Sequence, residues 1–170
     1  VGVSFEISVA DGEEIISKKL PWEIVEELSL QKATEVAGRY EAKQEITEQT
    51  VVIGADTIVA YGEEIMGKPK NEEMAKEMLQ KLQDGSHQVY TGVTLIIMTA
   101  GNRQVVTFHE KTDVEMYQMS EKQIDAYVAT KEPMDKAGSY AIQGKCAAYI
   151  KGICGDYNNV VGLPVARLMQ

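Results

Sequence analysis

The run "VVIGADTIVA", Val51 to Ala60, sets one carboxylate, Asp56, inside a stretch of valine, isoleucine and threonine. Such a stretch reads as a strand buried on both faces, where an unpaired carboxylate costs on the order of 2–7 kcal/mol. A partner or a chemical duty must offset that cost. Other polar residues also interrupt apolar patterns. Thr57 follows Asp56, Lys68 and Lys70 flank Pro69 in a tight turn, and Lys32 ends a helical apolar stripe. Gln143 lies within "SYAIQG", and acids recur at Asp11, Glu13 and Glu14. Carboxylates beside lysines and backbone-exposing glycines are what a magnesium-bound polyphosphate needs: the metal takes hard oxygen ligands, and the lysines offset residual phosphate charge. Each residue has a plainer reading as well. Asp56 could form a structural ion pair, Lys68 and Lys70 a solvated turn, Glu13 and Glu14 an exposed approach to a helix, and Gln143 a satisfied buried amide.

These side chains need elements to hold them. "FEISV" reads as a short strand. Pro21 opens a helix, "PWEIVEELSLQKATEVAGRY", with Trp22, Val25, Leu28, Ala33 and Val36 near one face and Gly38 at its end. After the strand around Asp56, Asn71 caps the helix "EEMAKEMLQKL". "HQVYTGVTLIIMTA" and "RQVVTFHEKTDVEMY" alternate as strands about "AGN", a hairpin signature. Ser120 with Gln123 forms a capping box for "EKQIDAYVAT". The strand-like "SYAIQGKCAAYIKGI" leads through glycine-rich "CGDYNNVVGLP" to a last short helix from Pro164. This alternation predicts an α/β fold whose sheet mixes parallel and antiparallel pairs.

Composition sets the outer bounds. A chain of 170 residues with 44% hydrophobic content can build one domain with a full core, or two lobes sharing one. No apolar run nears the ~20 residues of a bilayer span, and the start "VGVSFEISVADGEEI" lacks the order of a signal peptide, so the expectation is a soluble cytoplasmic protein. Cys146 and Cys154 have neither zinc-site spacing nor disulfide density and read as reduced, partly buried thiols. A net charge of −9 argues against a nucleic-acid surface, while leaving room for a small anion held by a few lysines.

The segments "IGADTIV", "GKP", "YTGVTL", "DKAGSYAIQG" and "GDYNNVVGLP", in this order, resemble the Maf family of nucleoside triphosphate pyrophosphatases across nearly the whole chain. The resemblance implies a single catalytic domain over residues 1–170: a mixed twisted sheet with flanking helices, in two lobes around a deep cleft, similar to the inosine triphosphate pyrophosphatases. It also implies a homodimer, no membrane or nucleic-acid partner, and hydrolysis between the α- and β-phosphates with a divalent metal, Mg2+ or Mn2+.

Carried over by position, the family's proton acceptor falls on Asp56. Its acidic metal position falls on Glu14, where the usual Asp-Val-Asp-Glu reads Asp11-Gly12-Glu13-Glu14, and its phosphate lysines fall on Lys32 and Lys68. A "GADT" threonine, Thr57, together with an "IQG" glutamine, Gln143, looks like the subfamily acting on dTTP and UTP. The side chains agree with that, since one amide meets the N3–H donor and the carbonyl acceptors of uracil or thymine. Guanine also pairs a donor with an acceptor, so pocket size must supply the remaining discrimination. Family members carry a strand and a Ser-Pro-Arg-Arg loop ahead of the first helix, whereas this sequence starts at Val1, and the expectation is weakened phosphate binding without them. The alternative is a catalytically weak nucleotide-binding regulator tied to arrest of septum formation.

Overall fold

The computed structural model of the chain describes residues 2–43 and 49–170. Helix α1 (Pro21–Lys43) begins at its proline as expected and runs past Gly38. The expected stop fails because Val36, Ala37 and Tyr40 carry the packing on across Gly38, and one helical glycine costs only about 1 kcal/mol.

The sheet has five strands in the order β2-β1-β3-β4-β5: β1 (Thr50–Tyr61), β2 (Glu64–Met66), β3 (Ser86–Thr99), β4 (Asn102–Met116) and β5 (Ile150–Cys154). Every described strand pair is antiparallel, which corrects the expected parallel component. The reason is local. The three residues of β2 turn the chain back beside Val59–Tyr61 before helix α2 (Glu72–Leu82) returns it, so β3 enters antiparallel to β1. The hairpin about Ala100–Gly101 joins β3 to β4 as predicted, and the caps Asn71 and Ser120 sit where expected, Ser120 starting α3 (Glu121–Ala129).

Two further expectations are corrected. "FEISV" forms no strand. Phe5 and Ile7 are 82% and 79% exposed, and no described strand pairs with residues 5–9, so their alternation has no ladder to join. "SYAIQGKCAAYIKGI" runs through turns and the 3-10 helix Lys145–Tyr149, with a strand only from Ile150. "GDYNNVVGLP" holds an additional short helix, α4 (Tyr157–Val161), before α5 (Val165–Leu168).

Helix α1 covers one sheet face. Ala33, Val36 and Ala37 pack on Val52, Ile96 and Met98, while Ile24, Val25 and Leu28 pack on Ile58. Glycines set how closely it lies. A Cβ at Gly54 would stand 2.5 Å from the Ser29 carbonyl oxygen, and one at Gly92 would stand 2.1 Å from that of Val25. The opposite face carries the larger core at one end of the strands, where Val59, Val89 and Val114 meet Leu79 and Leu82 of α2 and Ile124 and Val128 of α3. Towards the other end this face is open, which corrects the expectation that β1 is buried on both sides: Val51 and Ile53 are about half exposed. Cys146 is buried and Cys154 exposed, both as free thiols. Among the described residues, no helix is long and apolar enough to cross a membrane.

Candidate active site

Residues 9–17 lie along α1, tied there by its polar side chains. The amides of Asp11 and Gly12 donate to the Glu35 carboxylate at 3.0 Å each, Ile15 donates to Gln31 at 3.0 Å, and Ser17 donates to Glu27 at 2.9 Å. This lashing sets Glu14 over Lys32, whose Nζ lies 2.9 Å from the Glu14 carboxylate. The same ammonium donates to Asp56 Oδ1 at 2.5 Å. Asp56 reaches it because β1 and α1 touch through Gly54 and Ala33, one residue beyond Lys32.

The electrostatics of this cluster follow from its burial. Asp56 is mostly shielded from solvent, and desolvation raises its pKa above the usual aspartate value despite the hydrogen bond and charge of Lys32, with Glu14 adding to the rise. Desolvation alone would lower the Lys32 pKa, yet its bonds to Asp56 and Glu14 hold it above the ordinary lysine value. The result is a carboxylate that is a better base than usual, beside an ammonium that stays charged.

Lys68 is exposed in its turn, and its charge also acts on Asp56. The Gly138 amide donates to the Gly67 carbonyl at 3.2 Å, which pins this turn to the segment 137–139, and the Lys68 charge acts on Asp135 as well. Glu14, Lys32, Lys68 and Ala55 line one cavity of about 930 Å³ beside β1, a size ordinary for small-ligand sites.

Thr57 points away from Asp56, as neighbours on a strand must. It lines a second cavity of about 90 Å³ with Val89, Asp135, Lys136, Ala137 and Tyr140. Paired β2 residues begin only at Val59, so the backbone edge of β1 between the two cavities is not covered by that strand. Gln143 is exposed and lines neither cavity, which removes the buried-amide reading. Thr91 and Asn159, both fully buried, were not singled out from sequence. The Thr57 and Thr91 hydroxyls lie 2.8 Å apart, and Asn159 fixes α4 through its side-chain amide to Val89 O at 3.1 Å and Thr112 Oγ1 at 3.0 Å.

Among the described residues, no group of three or more acidic, histidine or cysteine side chains converges as a metal cage. Glu14 and Asp56 do converge, on Lys32 Nζ. Two hard oxygen donors would suit a Mg2+ or Mn2+ ion at an open site rather than a closed protein cage.

A sequence model of the family described as Maf-like protein matches residues 1–170. The chain is 53% identical over 177 aligned positions to a dTTP/UTP pyrophosphatase of Agathobacter rectalis, covering 100% of this chain and 86% of that one. It is 50% identical to proteins of the same name from Lachnoclostridium phytofermentans and Bacillus cytotoxicus, covering 84% and 83% of their lengths.

Proposed function

The chain belongs to the Maf family, and from that premise we propose that it hydrolyses dTTP and UTP between the α- and β-phosphates, releasing the monophosphate and pyrophosphate. The observation that carries this reading is the Asp56–Lys32–Glu14 cluster at the uncovered edge of β1, with a roomy cavity beside it.

Asp56, a carboxylate of raised pKa, is the general base that takes a proton from the attacking water. Lys32 holds Asp56 as the anion before reaction and offsets phosphate charge during it. Lys68, whose charge reaches both Asp56 and Asp135, spans from the phosphate side of the edge to the Thr57 side. Glu14 and Asp56 would hold the divalent metal, which supplies charge neutralisation at the phosphoryl oxygens. Thr57, which lines the smaller cavity, faces the nucleoside in this reading. Gln143 belongs to the base site in this reading, on the strength of the "IQG" resemblance, and would enter it with substrate bound. The layer of α1 and the layer of α2 and α3 act as the two lobes about the substrate, as in the inosine triphosphate pyrophosphatases, and the working unit is a homodimer acting on free nucleotides of the cytoplasm.

The test is pyrophosphate release from a panel of nucleoside triphosphates with Mg2+ or Mn2+. Turnover of dTTP and UTP to monophosphate is expected. Tight nucleotide binding without pyrophosphate release would instead favour the regulator.

A further inference from the structure

The hydroxyl chain behind Thr57 fixes the direction of its protons. Thr91 Oγ1 lies 2.9 Å from the Asn159 carbonyl oxygen, and a carbonyl can only accept. The single hydroxyl hydrogen of Thr91 therefore goes to Asn159, since two oxygens at that distance with no proton between them would repel. Thr91 Oγ1 must then accept from the other oxygen against it, Thr57 Oγ1 at 2.8 Å. Thr91 is fully buried, so water does not offer its hydrogen another partner. The carbonyl is held in turn, because Asn159 is pinned to β3 and β4 through its side-chain amide.

We infer that Thr91 is a positioning residue that turns Thr57 into a pure hydrogen-bond acceptor towards its cavity, selecting a ligand that brings a donor there: the N3–H of uracil or thymine, against cytosine, whose N3 carries a lone pair. This rests on the nucleotide reading above and adds to it a source of discrimination independent of Gln143. The other polar side chains lining that cavity each have a partner of their own. Asp135 and Lys136 pair with each other at 2.7 Å, and the Tyr140 hydroxyl is 2.8 Å from His87 Nε2.

The experiment measures binding of the non-hydrolysable α,β-methylene analogues of UTP and CTP by calorimetry, and then kcat/KM for UTP and CTP. Thr91→Val keeps the shape but removes the acceptor, so the Thr57 hydroxyl is free to donate, and the UTP-to-CTP preference should fall by about tenfold. Thr91→Ser keeps the hydroxyl and should retain the wild-type preference, which a merely space-filling role for the threonine methyl would not predict. Should Thr91→Val fail to fold, Thr57→Val serves: the preference should again fall. An unchanged ratio in a folded Thr91→Val or in Thr57→Val overturns the proposal, as does equal binding of both analogues to the wild type. Uracil preference in binding, lost in Thr91→Val, with no pyrophosphate released from UTP by the wild type, would leave this proposal standing and sink the hydrolase reading.

Discussion

His87 makes the stability of this fold depend on pH in a calculable way. Its ring is fully buried on β3, Nε2 lies 2.8 Å from the Tyr140 hydroxyl, and Nδ1 has no hydrogen-bond partner among the described residues. Burial pushes its pKa from 6.5 down to about 4. The imidazole is thus neutral in the folded state at a pH where the unfolded chain already binds a proton. Above pH 6.5 both states are neutral and the full stability is present; as pH falls towards 4 the unfolded state gains protons first, and stability is lost. At ~1.4 kcal/mol per tenfold, the whole loss is roughly 3 kcal/mol, and roughly 2 kcal/mol of it falls between pH 7 and pH 5. The assay is urea unfolding from pH 8 to pH 4.5 for the wild type and for His87→Phe, a non-titrating ring of similar size. The variant loses the Tyr140 contact at every pH, a constant offset, so the difference in slope isolates the imidazole from acid-sensitive carboxylates elsewhere. Parallel stability curves for the two proteins would refute the reasoning and mean that His87 binds its proton in the folded state as readily as in water.

The same physics governs the other perturbations. Asp56→Asn should lose ~10²–10⁴ in turnover while triphosphate binding stays within about tenfold, measured by pyrophosphate release and calorimetry, because an amide keeps the volume but takes no proton. In Lys32→Met, Asp56 loses the partner that lowers its pKa, so the acid limb of kcat/KM should move to higher pH; an unmoved midpoint would detach Lys32 from the base. Gly92→Ala should cost about 2–3 kcal/mol in urea unfolding, since its methyl meets the Val25 and Glu26 backbone of α1. Gly38→Ala, which faces open space on the same helix, should be neutral or stabilising by ~0.5–1 kcal/mol.

What could be read from sequence was what is decided within a few residues. The caps at Asn71 and Ser120 are short-range hydrogen bonds, and Asp56 stands out because its type clashes with its neighbours. What could not be read depends on a partner far along the chain. The alternation in "FEISV" is genuine, yet a strand exists only where another backbone completes its ladder. Strand direction turned on three residues, "EIM", too short to register as an element, and with them the helix that looked like a parallel crossover became a simple return. Thr91 is the clearest case. Nothing in "YTGVTL" marks it apart from other strand threonines, and it matters only because register sets it directly across from Thr57.

The cluster around Asp56 obeys the same rule. The residues that suited a polyphosphate, Glu14, Lys32, Asp56 and Lys68, come from four separate segments, and their meeting rests on two glycines and one turn contact. Gly54 and Gly92 let α1 lie close enough for Lys32 to reach Asp56, and the Gly138 to Gly67 hydrogen bond holds the Lys68 turn against the segment lining the Thr57 cavity. A ligand engaging both Asp56 and Thr57 must therefore cross the β1 edge, because those side chains project to opposite faces. Lys68 is the cation whose charge acts on both sides of that crossing, on Asp56 and on Asp135.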